Sequence, residues 1–364
     1  MGRGIVIVVV LFVAAAGCTG GVPSDSTGSN ETDEPGEPNG IEGALEIHAI
    51  DVGQADATLL VGPEETMLVD SGNRYDDGEE LLAYLDSQGI ERIDYLVTTH
   101  AHADHIGGHA LLIETYETEK EGVGQVWDPG VAHTSAVYEE YLDAVEEHDV
   151  DLIDAQAGDE IEFASGATVY NPPEEPESDG LHDNSLSLRV TFGETSFLAT
   201  GDAEANAEER MVEEYGDELE SDIYQAGHHG SATSSNPAFL DHADPEIAVI
   251  SSAYESQYDH PSEEVLESFG ERGIETYWTA THGTVVFESD GESITVEPES
   301  EESTDPLELR EELSADESAA ALASPASVGT KALEVVARAG RDRSLRKSSI
   351  SARPKTPRVF GKSR

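Results

Sequence analysis

The sequence predicts an α/β fold. Short apolar runs with the length of buried strands, such as residues 93–97 and 195–199, alternate with amphipathic stretches of helical period, such as residues 78–88. Several predicted strands end directly before loops that contain glycine, histidine and aspartate. Because α/β folds collect their chemistry at the carboxyl ends of strands, we expect the functional site at those loops.

The predicted elements extend from residue 45 to residue 296. In the helix at residues 78–88, Leu81, Leu82 and Leu85 have the spacing of a core-facing stripe. The last two strands form a hairpin around Asp290-Gly291. We predict strands at residues 45–50, 57–61, 66–69, 93–97, 124–127, 195–199, 222–226, 246–251, 285–287 and 293–296, a strand of alternating apolar residues after Asp183, and a hairpin at 161–170. We predict the other helices at residues 110–116, 135–148, 204–215 and 237–240.

The loop at residues 98–108 carries four potential metal ligands within six residues: His100, His102, Asp104 and His105. Imidazole and carboxylate groups together suit zinc, manganese or iron. His100 and His102 are two residues apart on extended backbone and can point the same way, whereas Asp104 and His105 follow the turn and can face a second ion. The alternative is a solvated polar loop.

Further candidate ligands follow two later strands. Asp202 comes after the strand at 195–199 and a glycine that allows close approach, which suits a carboxylate that bridges two ions. His228 and His229 follow the strand at 222–226. We assign His228 to the second ion because it is nearer the strand end, and His229 to substrate binding or proton donation.

Hydroxyl groups cluster just after these histidines, at Ser231, Thr233, Ser234 and Ser235. Hydroxyls and backbone N–H groups near a helix start suit a phosphate. Capping of the helix at 237–240 explains any single serine equally well. His282 is a further possible ligand near a strand edge.

The run His-Ala-His-Ala-Asp-His at residues 100–105, followed by Gly107-Gly108, resembles the HxHxDH signature of the metallo-β-lactamase superfamily. The stretch at residues 51–57 resembles the DVGQGDA opening of the hydrolase domain of the ComEC/Rec2 DNA-uptake proteins. Four more stretches are similar to that family and occur in its order: residues 183–186, 200–202, 227–231 and 258–261. The resemblance covers roughly residues 45–297.

This resemblance implies an αββα sandwich of two mixed β-sheets flanked by helices, and two divalent metal ions, Zn²⁺ or Mn²⁺. It implies one ion at His100, His102 and Asp183, a second at Asp104, His105 and His228, and Asp202 as the bridge. Most of the superfamily has a histidine as the last ligand of the first ion, whereas the ComEC-like branch usually has Asn or Asp. We therefore place Asp183 there and keep His182 as the alternative.

The implied reaction is hydrolysis of a phosphodiester, most concretely DNA, by water that two ions activate. We assign catalytic roles to Asp104, His229 and His260, the last as a residue that faces the substrate. Asp56 and Asp70 are candidates to orient metal-binding histidines, although aspartate is also common in turns.

The chain has 77 acidic and 19 basic residues and a formal net charge of −58. Such a surface stays hydrated in concentrated salt, where its self-repulsion is screened, and this indicates a salt-adapted (halophilic) organism. The same charge repels a polyanion such as DNA. An uncharged ester, thioester or lactone is therefore the alternative substrate, and a non-enzymatic surface-binding lipoprotein is the alternative of another class.

The N-terminus predicts secretion and a lipid anchor. Arg3, an apolar run at residues 5–16 and small residues before Cys18 are typical of a signal peptide with a lipobox, although an uncleaved anchor is an alternative. Cys18 is the single cysteine, so no intramolecular disulfide is possible. We divide the chain into a signal (1–18), an acidic disordered linker (19–43), the folded domain (44–298) and a low-complexity tail, acidic then basic (299–364). We expect a lipoprotein on the outer face of the membrane.

Overall fold

Two mixed β-sheets pack face to face across the main hydrophobic core of the domain. The structure is a computed structural model that describes residues 43–176 and 178–310. The predicted signal and nearly all of the linker, and the tail beyond residue 310, lie outside the described residues. The strands are β1 (Leu45–Ala49), β2 (Thr58–Val61), β3 (Thr66–Val69), β4 (Ile93–Val97), β5 (Val123–Asp128), β6 (Asp151–Asp154), β7 (Glu160–Ile161), β8 (Gly166–Asn171), β9 (Ser187–Phe192), β10 (Thr195–Ala199), β11 (Ile223–Gln225), β12 (Ile247–Ile250), β13 (Glu275–Trp278), β14 (Val285–Ser289) and β15 (Ile294–Pro298).

The helices flank the sheets. They are α1 (Glu79–Ser87), α2 (His109–Glu119), α3 (Ala136–His148), α4 (Ala205–Tyr215), α5 (Pro237–Ala243), α6 (Glu263–Arg272) and α7 (Thr279–His282). Short 3₁₀ helices occupy Arg74–Asp76, Gly216–Leu219 and Gly227–Gly230. Over the described part of the chain, no helix combines the length and apolar character that a membrane span requires.

Each sheet is parallel in one half and antiparallel in the other. The first sheet has the order β15-β14-β1-β2-β3-β4-β5-β6, and the second has the order β13-β12-β11-β10-β9-β8-β7. The strands from β3 to β6 pair in parallel, as do those from β10 to β13. Strands β4 and β10 both belong to these parallel parts. The predicted ligand loops begin at their carboxyl ends.

Neighbouring residues of one strand pack into two different hydrophobic cores, one on each face of the sheet. Leu60 packs in the core between the sheets, whereas Leu59 packs in the core under the helices α1 to α3. Both side chains are fully buried, as the period of two in a strand requires when both faces of a sheet are covered. The predicted sandwich of two mixed sheets flanked by helices is confirmed.

Among the strands and α-helices, four elements were not predicted from the sequence: β6, α6, β13 and the short α7. The residues of β6 are mostly exposed, so this edge strand lacks the apolar run that marks a buried strand. The sequence did contain a signal for α6, because Ser262 is a favoured N-cap residue. In the structure its side chain accepts a hydrogen bond from the Val265 backbone N–H at the start of the helix. Residues 299–310, predicted as tail, also pack on the domain, and Leu309 is fully buried.

Candidate metal centre

The candidate centre lies where the loops after β4, β10 and β11 meet. Asp202 is at the middle of it and is 2% exposed. Gly201, just before it, has a φ of 49°, and a Cβ atom there would lie 2.5 Å from both Thr99 Cβ and Ser185 Oγ. Only glycine allows this left-handed turn at such close approach, and the turn brings Asp202 against the loop after β4.

The two carboxylate oxygens of Asp202 face two different groups of histidines. We call the possible metal position on the Oδ2 side site one and that on the Oδ1 side site two. On the Oδ2 side, the distances are 3.5 Å to His100 Nε2, 3.9 Å to His182 Nε2 and 3.4 Å to His228 Nε2. On the Oδ1 side, the distances are 3.2 Å to His105 Nε2 and 3.9 Å to His229 Nε2. One buried carboxylate thus lies between two sets of ring nitrogens.

Site one combines His100, His102 and His182 with Asp202. One ligating atom of each lies within 4.8 Å of the others, which is a compact set for a single ion. His100 Nε2 is 2.8 Å from His102 Nδ1. Burial and the neighbouring His105 hold the pKa of the wholly buried His100 well below its ordinary value, so its ring is neutral and can act as a ligand.

On the side of site two, His105, His229, Asp202 and Asp56 form the compact set, with one ligating atom of each within 4.8 Å of the others. Asp104 lies beside this set. Asp104 Oδ2 is 3.6 Å from His229 Nε2, on the same side of that ring as Asp202. Asp56 is also within reach, but its Oδ2 lies 3.9 Å from His105 Nδ1 and 3.7 Å from His229 Nδ1, on the opposite edge of each ring. The Nε2 atoms of both rings face Asp202, and that of His229 also faces Asp104, whereas the Oδ2 atom of Asp56 lies behind the rings.

Partners on the far side of these rings fix their orientation. Asp70 Oδ2 is 2.7 Å from His105 Nδ1, and the same carboxylate accepts hydrogen bonds from the Thr99 backbone N–H and hydroxyl at 2.8 and 2.6 Å. His229 Nδ1 lies 3.0 Å from the Ser251 carbonyl oxygen, to which it donates. A ring that donates through Nδ1 presents the lone pair of Nε2 to the centre.

Several buried polar atoms at the centre make no hydrogen bond of acceptable geometry to any residue that the structure describes: His105 Nε2, His182 Nε2, His229 Nε2, Asp56 Oδ1 and Asp202 Oδ1. An unpaired buried polar atom is costly, on the order of 1–3 kcal/mol. Divalent cations would satisfy the Nε2 atoms and Asp202 Oδ1. The donor set of imidazoles and carboxylates fits such ions.

The charges at the centre are strongly coupled. Burial alone would raise the pKa of Asp202, but the surrounding His105 and His100 outweigh it and hold that pKa well below its usual range. Burial opposes protonation of His105, yet Asp202 and Asp70 raise its pKa well above the ordinary value. In the metal-free protein Asp202 is therefore ionised and His105 is protonated on the edge that faces it. A divalent ion at this position would take the place of that proton.

The structure brings together five of the predicted metal ligands, His100, His102, Asp104, His105 and Asp202. It differs from the prediction at His228, which lies on the site-one side of Asp202, whereas His229 faces Asp104 in site two. The reason is local: both residues have left-handed backbone, with φ of 51° and 56°. Such strain persists mainly at functional sites, and here it sends consecutive rings to opposite sides of Asp202.

The structure also differs from the prediction at Asp183. Its carboxylate accepts hydrogen bonds from Ser178 Oγ at 2.7 Å and Asn206 Nδ2 at 3.4 Å, and it is not part of either site. The preceding residue, His182, takes the place beside His100 instead. The turn in which the Asn184 backbone N–H donates to the Gly180 carbonyl directs consecutive side chains apart.

Two other histidines were candidates for the site. His260 lies near the centre, and His282 lies away from it. The ring of His260 is half-buried and 5.6 Å from that of His228, which places it at the edge of site one. Burial and His228 lower its pKa to about 4. His282 lies outside the centre, at the end of α7, where its Nδ1 accepts from the Trp278 backbone N–H at 3.0 Å.

The hydroxyl cluster serves the local fold. Ser234 donates to the Ala203 carbonyl at 2.7 Å, and the Ser235 backbone N–H donates to Glu208. Thr233 donates to Glu204 at 3.1 Å. Glu204 was missed in the sequence analysis, although its position two residues after Asp202 was a signal for a role near the centre.

Fold and ligand arrangement define a class of protein. The family model for the Metallo-beta-lactamase superfamily matches residues 50–253, and the chain belongs to that superfamily. The chain is 26% identical over 261 residues to ComE operon protein 3 of Bacillus subtilis (strain 168), covering 66% of this chain and 33% of the relative. It is 30% identical over 238 residues to competence protein ComA of Neisseria gonorrhoeae, covering 65% of this chain and 31% of the relative. The predicted family resemblance is confirmed.

The matched region spans about a third of the length of these two relatives. Among solved structures, the metallo-β-lactamase fold protein YhfI from Bacillus subtilis matches with a TM-score of 0.45 and 14% sequence identity. That match covers 68% of this chain and 100% of the other.

Proposed function

We propose that this chain is a dinuclear metal-dependent hydrolase of phosphodiester bonds, with DNA as its substrate. The observation that carries the proposal is the position of Asp202 between two sets of histidine ligands. The similarity to competence protein ComA, together with the resemblance of the sequence motifs to the ComEC/Rec2 DNA-uptake proteins, supports the choice of DNA. The shared region is only about a third of those relatives, and we propose that this region carries the hydrolase activity.

We assign His100, His102 and His182 to ion one and Asp104, His105 and His229 to ion two, with Asp202 shared by both. Asp183 and His228, which the sequence analysis placed among the ligands, are left out of this assignment. Two Zn²⁺ or Mn²⁺ ions there would supply Lewis acidity and make a nucleophile of water at neutral pH. Manganese is favoured less than it would be with Asp183, because an imidazole in place of a carboxylate suits zinc.

The protein's own residues prepare the centre for this chemistry. Asp70 and Ser251 hold the rings of His105 and His229 so that their lone pairs point inward. We assign His260, which lies beside His228 at the edge of site one, to contact with the substrate. The side chain of Asp104 is 30% exposed, and we assign it to contact with both ion two and the substrate.

The net charge of −58 favours a second candidate, hydrolysis of an uncharged ester, thioester or lactone. Repulsion of a polyanion is strong in dilute buffer but acts over only about 3 Å in molar salt. Because we also propose a salt-adapted protein held outside the cell by a lipid at Cys18, the DNA assignment remains compatible with this charge. A binding lipoprotein without activity is the third candidate.

The test is hydrolysis of linear double-stranded DNA, single-stranded DNA and bis-p-nitrophenyl phosphate in multimolar KCl, with added Mn²⁺ or Zn²⁺. We expect metal-dependent cleavage that is abolished in Asp104→Ala and Asp202→Ala and kept in the matched control Asp183→Ala. Cleavage of esters or lactones alone would replace the phosphodiester assignment. Two bound ions without any hydrolysis would favour the binding lipoprotein.

A further inference from the structure

One carboxylate oxygen of Glu204 touches two partly exposed histidines of the centre. Glu204 Oε1 lies 3.0 Å from His182 Nδ1 and 3.3 Å from His228 Nδ1. It also accepts the hydroxyl of Thr233 at 3.1 Å. The opposite nitrogens of the two rings, their Nε2 atoms, face Asp202 Oδ2. Glu204 and Asp202 therefore hold the same two rings from opposite edges.

This arrangement decides which ring nitrogen of His182 is free to bind a metal. The imidazole donates through Nδ1 to Glu204, so the lone pair of Nε2 is left on the side of site one. The Nε2 atom is buried and makes no hydrogen bond to any residue in the described ranges. It is thus oriented and unsatisfied, as a ligand is before its ion binds.

The local backbone shows that this carboxylate does not serve the helix that it precedes. Glu204 is the N-cap residue of α4, and its side chain makes no capping hydrogen bond. N-cap positions favour Ser, Thr, Asp and Asn, whose loss costs about 0.5–2 kcal/mol. At this position the chain has a longer side chain that reaches across to His182, and Ala205 N–H donates to the Thr233 carbonyl to hold the two loops together.

We propose that Glu204 is a positioning residue that completes site one by fixing the ring of His182. The inference rests on the dinuclear centre of the proposed function, but it does not depend on the substrate. The same oxygen lies 3.3 Å from His228 Nδ1, which also has the Thr233 hydroxyl at 3.3 Å. Glu204 and Thr233 together therefore hold this second ring, at the edge where His260 lies. Site one is therefore organised from the loop that carries the bridging Asp202 itself.

The test measures the affinity of both ions by chelator competition with Zn²⁺ in the full chain. In Glu204→Ala we expect ion one to bind about 10- to 100-fold more weakly, while ion two is unchanged. Glu204→Gln keeps one acceptor oxygen and should show a smaller loss. The matched control is Glu209→Gln, an exposed glutamate on the same helix.

Two further readouts separate positioning from a general structural role. In ¹⁵N NMR spectra of the metal-free protein, the ring of His182 should be protonated at Nδ1 and should lose this preference in Glu204→Ala. The melting temperature of the metal-free protein should change little. Equal weakening of both ions with a lower melting temperature would overturn the proposal, as would unchanged affinity for both ions.

A third ion provides another way to overturn it. His182, Glu204 and His228 also have ligating atoms within 4.8 Å of one another. Three ions in the unaltered protein and two in Glu204→Ala would make Glu204 a ligand. If the unaltered protein binds two ions and cleaves no phosphodiester, the proposed substrate fails and the role of Glu204 still stands. If it binds fewer than two ions, the dinuclear centre itself fails.

Discussion

The two sides of Asp202 are built differently. In site two, the side chains of His105 and His229 are 0% and 3% exposed, and their outer nitrogens meet the buried Asp70 and a backbone carbonyl. On the site-one side, His182 and His228 are 29% and 20% exposed and share Glu204, which is itself 34% exposed. The histidines of site two are enclosed by the fold, and only Asp104 of that site is partly exposed, at 30%. Site one is open on the side of His182 and His228.

This difference indicates that the two sites have different roles. Buried orienting partners lose little geometry to thermal motion and water, so site two should hold its ion tightly. The exposed edge of site one is where a substrate can reach an ion. We therefore expect ion two to anchor the centre and ion one to exchange and to meet the substrate.

Removal of the shared ligand should erase the difference between the sites. Asp202→Asn takes away the charge between the two groups of histidines, so both ions should be lost and kcat/KM should fall at least about 10³-fold. Metal analysis and kinetics on the same sample check this. The control is Asp183→Asn, and retention of one tight ion in Asp202→Asn would contradict a shared carboxylate.

The buried side of the comparison can be weakened alone. Asp70→Asn replaces the carboxylate that holds His105 Nδ1, and we expect ion two to bind about 10- to 100-fold more weakly while ion one changes little. Zinc affinities from chelator competition check this. A selective loss of ion one would reverse our assignment of the sites.

The open side can be tested at the two neighbouring candidates for its third ligand. His182→Ala should leave one tightly bound ion per chain, because site one loses a ligand. Asp183→Ala should keep two, because this carboxylate bonds to Ser178 and Asn206. The opposite pattern in metal content would restore the ligand that the sequence analysis preferred.

Without any substitution, the two ions should leave at different rates. During dilution into excess chelator, we expect a fast phase from site one and a slow phase from site two, because the edge of site one is open to solvent. Stopped-flow absorbance with a chromophoric chelator checks this. A single phase that releases both ions together would show that burial does not separate the sites.

Asp128 shows what burial does to a carboxylate without a histidine partner, and it should affect activity least. Burial raises its pKa to about 6, although the Gly130 backbone N–H and the Tyr141 hydroxyl bond to it. Between about pH 4 and pH 6 the unfolded chain loses this proton first, so stability falls as pH rises through that window. The loss from this one group is roughly 2–3 kcal/mol.

Chemical denaturation of Asp128→Asn and of the unaltered protein at pH 4 and pH 7 measures this loss of stability. The free energy of unfolding of the variant should fall less between the two pH values than that of the unaltered protein. Equal falls would show that Asp128 is ionised at the same pH in the folded and unfolded chains.

Much of the fold was readable from the sequence because its strands are short apolar runs with clear ends. The strands β3, β4 and β10 match their predicted bounds residue for residue. The ligand loop after β4 was equally clear, since its histidines are packed into six residues. The exposed edge strand β6 has no such pattern, and periodicity did not reveal it.

The choice between neighbouring histidines and aspartates was harder to read. Whether His228 or His229 faces Asp104 depends on two left-handed residues in succession, and no composition rule predicts that conformation for histidine. Whether His182 or Asp183 faces His100 depends on a turn of four residues. The role of Glu204 could be recognised only from the structure. Its contacts are with His182 and Thr233, which are 22 and 29 residues away in the chain.

The central claim is that Asp202 divides two metal ions, and the most direct test is anomalous diffraction from crystals of the zinc-loaded protein. We predict two peaks: one at Asp202 Oδ2 with His100, His102 and His182, and one at Asp202 Oδ1 with Asp104, His105 and His229. A single peak, or a second peak among His182, Glu204 and His228, would contradict the account.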